Sequence, residues 1–151
     1  MYPVPDTHKI IAIAADHAGF ELKSRLVEFL KSGGYEVLDL GTHSTERVDY
    51  PDYGHALAEA IADGRAGRGI AICGSGIGIS IAANRNRKVR AALCHDVTSA
   101  RLARRHNDAN VLALGARLTG TEVALECVGA FLNTAFEGGR HAGRVEKLGS
   151  C

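Results

Sequence analysis

The chain has 151 residues, 46% hydrophobic and 23% charged, with a formal net charge of +1. That length forms one domain with a core needing neither disulfides nor structural metal, and the near-neutral balance gives no reason to expect a general affinity for nucleic acid or acidic membranes. The opening MYPVPDTHK lacks the basic start and apolar centre of a secretion signal, and no apolar run reaches the ~18 residues that span a bilayer, so a cytoplasmic location is expected.

KIIAIAA at 9–15 is short, apolar and β-branched, the pattern of a strand covered on both faces of a parallel sheet. From Phe20 to Leu30 apolar residues recur at helical spacing, and SGG at 32–34 predicts the stop. YEVLDLG at 35–41 reads as the second strand. The polar stretch 42–54 is expected to be a loop punctuated by Pro51, with a helix over 53–64 closed by Gly64. GIAIC at 69–73 predicts a third strand running into CGSGIG, followed by a helix over 78–85. VRAALC at 89–94 is a fourth strand, 96–107 a helix capped by Asp96 or Thr98, NVLALG at 110–115 a fifth strand, and 121–136 the last long helix.

Strands alternating with helices signify βαβ crossovers, so the expected fold is α/β: a Rossmann-like three-layer αβα sandwich on a five-stranded, mostly parallel sheet. One domain over 1–151 is expected, with residues 1–8 as an N-terminal extension and the glycine-rich 137–151 as a C-terminal arm. Ligands of open α/β sheets sit beyond the carboxyl ends of the strands. Chemistry is therefore sought at Asp16 and His17, from Gly41 onward, at Cys73–Gly78, at Cys94–Asp96 and at Gly115–Arg117.

The glycine loop is not a dinucleotide fingerprint, because Ile79 stands at its sixth position, and no Gly-Lys-Ser/Thr makes it a P-loop. What remains is a turn whose N–H groups can face an anion, with a thiol at its mouth. Cys73 is either a buried structural thiol or, beside those N–H groups, a reactive one. Cys94 ends its strand without such a loop and is read as structural. The four cysteines, Cys73, Cys94, Cys127 and Cys151, form no CxxC pair and no finger-like spacing, which predicts free thiols and no metal site. His17 at the mouth of the first strand and His106 in RRHNDAN stand apart from the surface histidines. Arg140 and Arg144, four apart, are either a phosphate clamp or a solvated basic tail.

Together, AADHAGFELK, ERVDYPDY, ICGSGIGISIAANR, VRAALC, ARRHNDANVLALGAR and FEGGRHAGRVEKL resemble the sugar-phosphate isomerase family that contains ribose-5-phosphate isomerase B and the galactose-6-phosphate and allose-6-phosphate isomerases. The resemblance implies an aldose–ketose isomerase working without metal or organic cofactor. In that reading Cys73 is the base that moves a proton between the first two carbons, and His106 is the acid that opens the furanose ring. Gly74, Ser75, Gly76, Ile77 and Gly78 would face the enediolate, with the Ser75 hydroxyl assisting. Asp16, His17, Tyr50, Asn107, Arg117, Arg140 and Arg144 would bind substrate, His17 and the last two arginines at the phosphate. A family branch with a glutamate base at the position of Ile79 is excluded by that side chain. The implied assembly is a homodimer or dimer of dimers with shared sites, and the implied partner is a small sugar phosphate, pentose or hexose, with no nucleic acid and no membrane.

Overall fold

A computed structural model describes residues 6–151. Most of the expected N-terminal extension lies outside them. Thr7–Lys9 form a 3-10 turn, and Gly67 N–H donates to Thr7 O at 2.8 Å, tying this end to the strand that follows Gly67.

Five strands, β1 (Ile10–Ala15), β2 (Glu36–Asp39), β3 (Arg68–Cys73), β4 (Ala91–Leu93) and β5 (Val111–Gly115), form one sheet in the order β2-β1-β3-β5-β4. Every pairing is parallel, so the expected antiparallel allowance is unnecessary. The helices are α1 (Phe20–Ser32), α2 (Tyr50–Ala62), α3 (Ile77–Ala83), α4 (Val97–Asn107), α5 (Thr121–Asn133) and α6 (Ala142–Leu148). None is long and apolar enough to cross a membrane.

Alternation along the strands decides which helices cover which face. Ile11, Ile13, Ile70, Ile72, Leu112 and Leu114 point to one side, where they pack against α1, α4 and α5. Ala12, Ala14, Ala71, Cys73 and Ala113 point to the other, beneath α2 and α3. Small residues on that second face let α2 and α3 approach closely, and they place the Cys73 side chain in the α2–α3 layer.

Several boundaries differ from the sequence reading, three of them with a local cause or consequence. Helix α2 begins at Tyr50, because Pro51 stands in its first turn, where a missing N–H costs nothing, rather than in a loop. Helix α5 stops at Asn133, where Thr134 turns to extended backbone and its hydroxyl donates back to Ala130 O at 2.6 Å. Strand β4 has three residues only, so Cys94 lies just past it, its N–H donating to Ala113 O at 3.1 Å. The cap of α4 is Asp96, whose carboxylate accepts from Ser99 N–H at 2.7 Å. The glycine-rich C-terminal stretch is ordered as a 3-10 turn, Gly139–His141, leading into α6.

The order β2-β1-β3 means that the chain leaves β1 toward one edge and returns on the other side at β3. The crevice between the ends of β1 and β3 is the topological switch point where this architecture binds ligands.

Candidate active site

Both walls of that crevice are built by strand ends. After β1, Asp16 is buried, and its carboxylate caps the following turn by accepting from Ala18 N–H at 3.0 Å and Gly19 N–H at 3.2 Å. Asp16 N–H in turn donates to Ile72 O at 3.1 Å, locking the end of β1 to β3. His17 Nδ1 accepts from Val48 N–H at 3.2 Å, which leaves the ring proton on Nε2 as a donor for an anion.

On the opposite wall, Cys73 Sγ accepts from Gly76 N–H at 3.1 Å, and the side chain is only 4% exposed. The loop can fold back on the sulfur because Gly76 adopts φ of 77°, and a Cβ there would come within 2.5 Å of Leu93 and 2.8 Å of the Leu114 carbonyl carbon. Ser75 Oγ accepts from Ile77 N–H at 3.2 Å. Arg117 is delivered from the end of β5: its N–H donates to Gly74 O at 2.9 Å, and its guanidinium would lie 3.3 Å from a Cβ on Gly74. The Tyr50 ring sits over Gly78 so closely that a Cβ there would be 2.5 Å from it. Ile79 is wholly buried in the α2–α3 core and offers no group to the site.

Asp16, His17, Tyr50, Cys73, Gly74, Ser75, Ile77, Gly78 and Arg117 therefore line one cleft of about 660 Å³, while Gly76 acts from behind it. Arg47, Ile81 and Leu118 line it as well. The sequence reading passed over Arg47 inside ERVDYPDY, although a cation in the β2–α2 loop is a usable signal for an anion site. Ile77, Ile81 and Leu118 are 50%, 49% and 64% exposed, an apolar rim on the mouth of a polar cleft.

His106, Asn107, Arg140 and Arg144 do not line this cleft. Among the described residues they gather at the end of α4 and the start of α6. Asn107 borders a separate cavity of about 380 Å³ with Asn84, Arg90 and Leu148. The turn bearing His106 and Asn107 is clamped from outside by two arginines. Asp108 takes the left-handed conformation that ends α4, at φ of 43°. Buried Arg104 donates to its carboxylate at 2.9 Å and to Ala109 O at 2.6 Å. Arg90 donates through Nε to Asn107 O and through Nη2 to Asp108 O, at 3.1 and 2.9 Å. His106 stacks on His141, the ring centroids 4.4 Å apart and the planes 11° from parallel. Neither His141 nor its neighbour Glu137 was singled out from the sequence, although the two stand four residues apart in EGGRHAGR.

The remaining thiols have no such setting. Burial pushes Cys94 upward and, helped by Cys94 itself, pushes Cys127 up to about 11, so both stay protonated in the core beneath α4 and α5.

A cleft of small-metabolite size at a parallel-sheet switch point, with a thiol and two arginines in its lining, fits a small-molecule enzyme site rather than a nucleotide fold. The pattern of the ribose/galactose isomerase family matches residues 11–148. Ribose-5-phosphate isomerase B of Escherichia coli is 51% identical over 140 residues, which cover 93% of this chain and 94% of that one. The D-erythrulose-4-phosphate isomerase of Pectobacterium atrosepticum is 49% identical over 140 residues, 92% of each chain. The solved structure of ribose-5-phosphate isomerase B from Clostridium thermocellum superposes with a TM-score of 0.92 at 54% identity, covering 93% of this chain and 95% of that one. The chain belongs to the ribose/galactose isomerase family, and with it to the aldose–ketose isomerases.

Proposed function

We propose that the protein interconverts ribose 5-phosphate and ribulose 5-phosphate through an enediolate, with Cys73 as the base. The observation that carries this reading is the Cys73 sulfur, held by Gly76 N–H at 3.1 Å in a cleft that it shares with Asp16, His17 and Arg117. Cys73 as thiolate takes the proton from C2 of the open-chain aldose, and the C2–H electron pair moves toward the carbonyl to give the enediolate. The proton, open to exchange with solvent while it rests on sulfur, is delivered to C1 as the O2 proton passes to O1, and the carbonyl reforms at C2. The hydrogen alpha to a sugar carbonyl is weakly acidic, so the step needs donors where charge collects on oxygen. N–H groups of the 74–78 loop and the Ser75 hydroxyl supply them.

Ring opening falls to His106, which protonates the furanose oxygen, while His17, Arg140 and Arg144 hold the phosphate and Asp16, Tyr50, Asn107 and Arg117 contact the sugar. In one chain the Cys73 cleft and the His106 cluster are separate, so the site is completed by a second copy seated on the apolar rim of Ile77, Ile81 and Leu118. The reaction asks for no metal or organic cofactor.

Two measurements test this. Turnover on ribose 5-phosphate, with chelator present, should exceed turnover on allose and galactose 6-phosphates; preference for a hexose phosphate overturns the substrate, and tight binding without turnover makes the protein a sensor. Refolded mixtures of Cys73→Ala and His106→Asn chains should regain about a quarter of wild-type activity, because half the dimers are mixed and each has one intact shared site. No recovery would mean that each chain carries its own complete site.

A further inference from the structure

The reading of His106 as the ring-opening acid leaves one neighbouring group unused. His141 is a buried imidazole whose Nε2 has no hydrogen-bond partner. Its ring lies face to face against His106 at 4.4 Å. Glu137 Oε2 is 3.9 Å from that Nε2, too long for a hydrogen bond, and Glu137 is engaged instead by Arg105 at 2.9 Å. We propose that His141 is the positioning residue of His106, a flat neutral platform that fixes the orientation of the acid ring and supports it when it carries the proton. This rests on the assignment of ring opening to His106.

Three observations support the platform over its rivals. First, the nitrogen atoms of His106 and His141 and the Glu137 carboxylate lie within 4.8 Å of one another, the span of a metal site. Ring nitrogens bind cations in the plane of the ring, however, and in rings only 11° from parallel and stacked at 4.4 Å, a cation in one plane lies well out of the other. Second, burial and the charges of Arg140, His106 and Arg144 hold the His141 imidazole below its ordinary range despite Glu137, which favours a neutral ring beside one that, as the proposed acid, cycles its charge. A neutral aromatic face attracts a cation above it, whereas a second imidazolium would repel it. Third, buried Nε2 cannot reach a substrate, which leaves the ring face as the functional surface. The short α6 and its preceding turn thus carry, in one segment, His141 against His106 and the two arginines that the proposed function assigns to the phosphate.

The test compares two reactions of the same enzyme. Turnover of ribose 5-phosphate requires ring opening; exchange of solvent deuterium into ribulose 5-phosphate does not, because its O5 carries the phosphate and the ketose stays open-chain. His141→Ala should lower ribose 5-phosphate turnover about 10- to 100-fold, the scale of a misplaced catalytic group, while changing exchange less than about threefold. His141→Leu, which fills the volume without a flat face, should show the same split if the alanine variant does not fold. His141→Phe should restore turnover to within about fivefold of wild type, since it keeps the aromatic platform. Wild-type turnover in both the alanine and leucine variants, or equal losses in the two reactions, would overturn the proposal. His106→Asn is the reference: if it fails to separate the reactions, the ring-opening assignment itself falls and the platform with it. If His106→Asn separates them and the His141 variants do not, only the platform is wrong.

Discussion

Replacing Gly76 with alanine tests whether the catalytic loop is built as described. The residue holds φ at 77°, a conformation that costs an L-residue about 1–2 kcal/mol. The new methyl would also meet Leu93 Cδ1 at 2.5 Å, the Leu114 carbonyl carbon at 2.8 Å and Gly115 N at 3.0 Å. The leucine tip can turn aside, but the β5 backbone cannot without disturbing its pairing with β3, which adds an overpacking cost of about 1–3 kcal/mol. The combined loss is about 2–5 kcal/mol, which lowers the melting temperature of a chain this size by roughly 5–15 °C. A loop that relieves the clash must draw Gly76 N–H away from Cys73 Sγ, so turnover falls more than the folded fraction accounts for. Calorimetry and initial rates, measured well below the lowered melting point, read the two effects separately. An alanine variant that melts within about 2 °C of wild type and keeps full turnover would refute the reasoning.

Three further outcomes follow from other contacts. Cys73→Ala removes the proposed base, so isomerisation should drop at least 100-fold, within the roughly 10²–10⁴ range of a lost acid–base group or beyond it, while calorimetric binding of the sugar phosphate is nearly retained. Substantial residual turnover would remove Cys73 from that role. Lys23, 2% exposed, pairs with Asp39 at 2.7 Å. Burial works against the Asp39 carboxylate, but the Lys23 hydrogen bond, the Gly41 N–H and the Lys23 charge together hold its pKa below the ordinary 3.8. A depressed folded pKa contributes stability above the unfolded value and loses it as pH falls through the folded one, so Asp39→Asn should flatten the decline in melting temperature between about pH 5 and pH 3. At neutral pH, Asp39→Asn should cost more than Lys23→Met, because it strands a buried ammonium whereas the methionine leaves a carboxylate that still has solvent and Gly41. The reverse order in denaturant melts would contradict that account.

How much of this was legible in the chain depends on which features are local. Strand identity was, because KIIAIAA and GIAIC alternate large and small residues that a sheet covered on both faces accommodates as two distinct surfaces. The seating of Cys73 follows from the same alternation: it shares a parity with Ala71, and so falls in the α2–α3 layer with the glycine loop. The start of α2 was missed because a proline reads as punctuation when its place in the first helical turn depends on where the preceding loop delivers the chain. Arg47 was missed for a related reason, since its usefulness comes from a loop that carries it to the ends of β1 and β3.

The separation of the site into two groups is a different kind of gap. Motifs assign residues to a reaction, and the resemblance set Cys73 and His106 together because one reaction needs both. Topology answers a narrower question, namely which of them one chain can bring to one place. Here the ends of β1, β3 and β5 deliver Asp16, Cys73 and Arg117 to the switch point. The C-terminal turn of α4, clamped by Arg90 and Arg104, delivers His106 to the His141 stack instead. Neither half holds both the proposed base and the proposed acid. If both act on one sugar, the apolar rim around the first half is where the second half must arrive, and the interface between copies becomes part of the catalytic machinery. Substitutions on the rim should then act on turnover through assembly: Leu118→Glu, 64% exposed in the isolated chain at the mouth of the cleft, should leave each chain folded by circular dichroism yet reduce both dimerisation and isomerisation in proportion, whereas a dimer that forms normally but turns over slowly would place the effect in the cleft itself. Full activity in a Leu118→Glu protein that sediments as a monomer would sever that link.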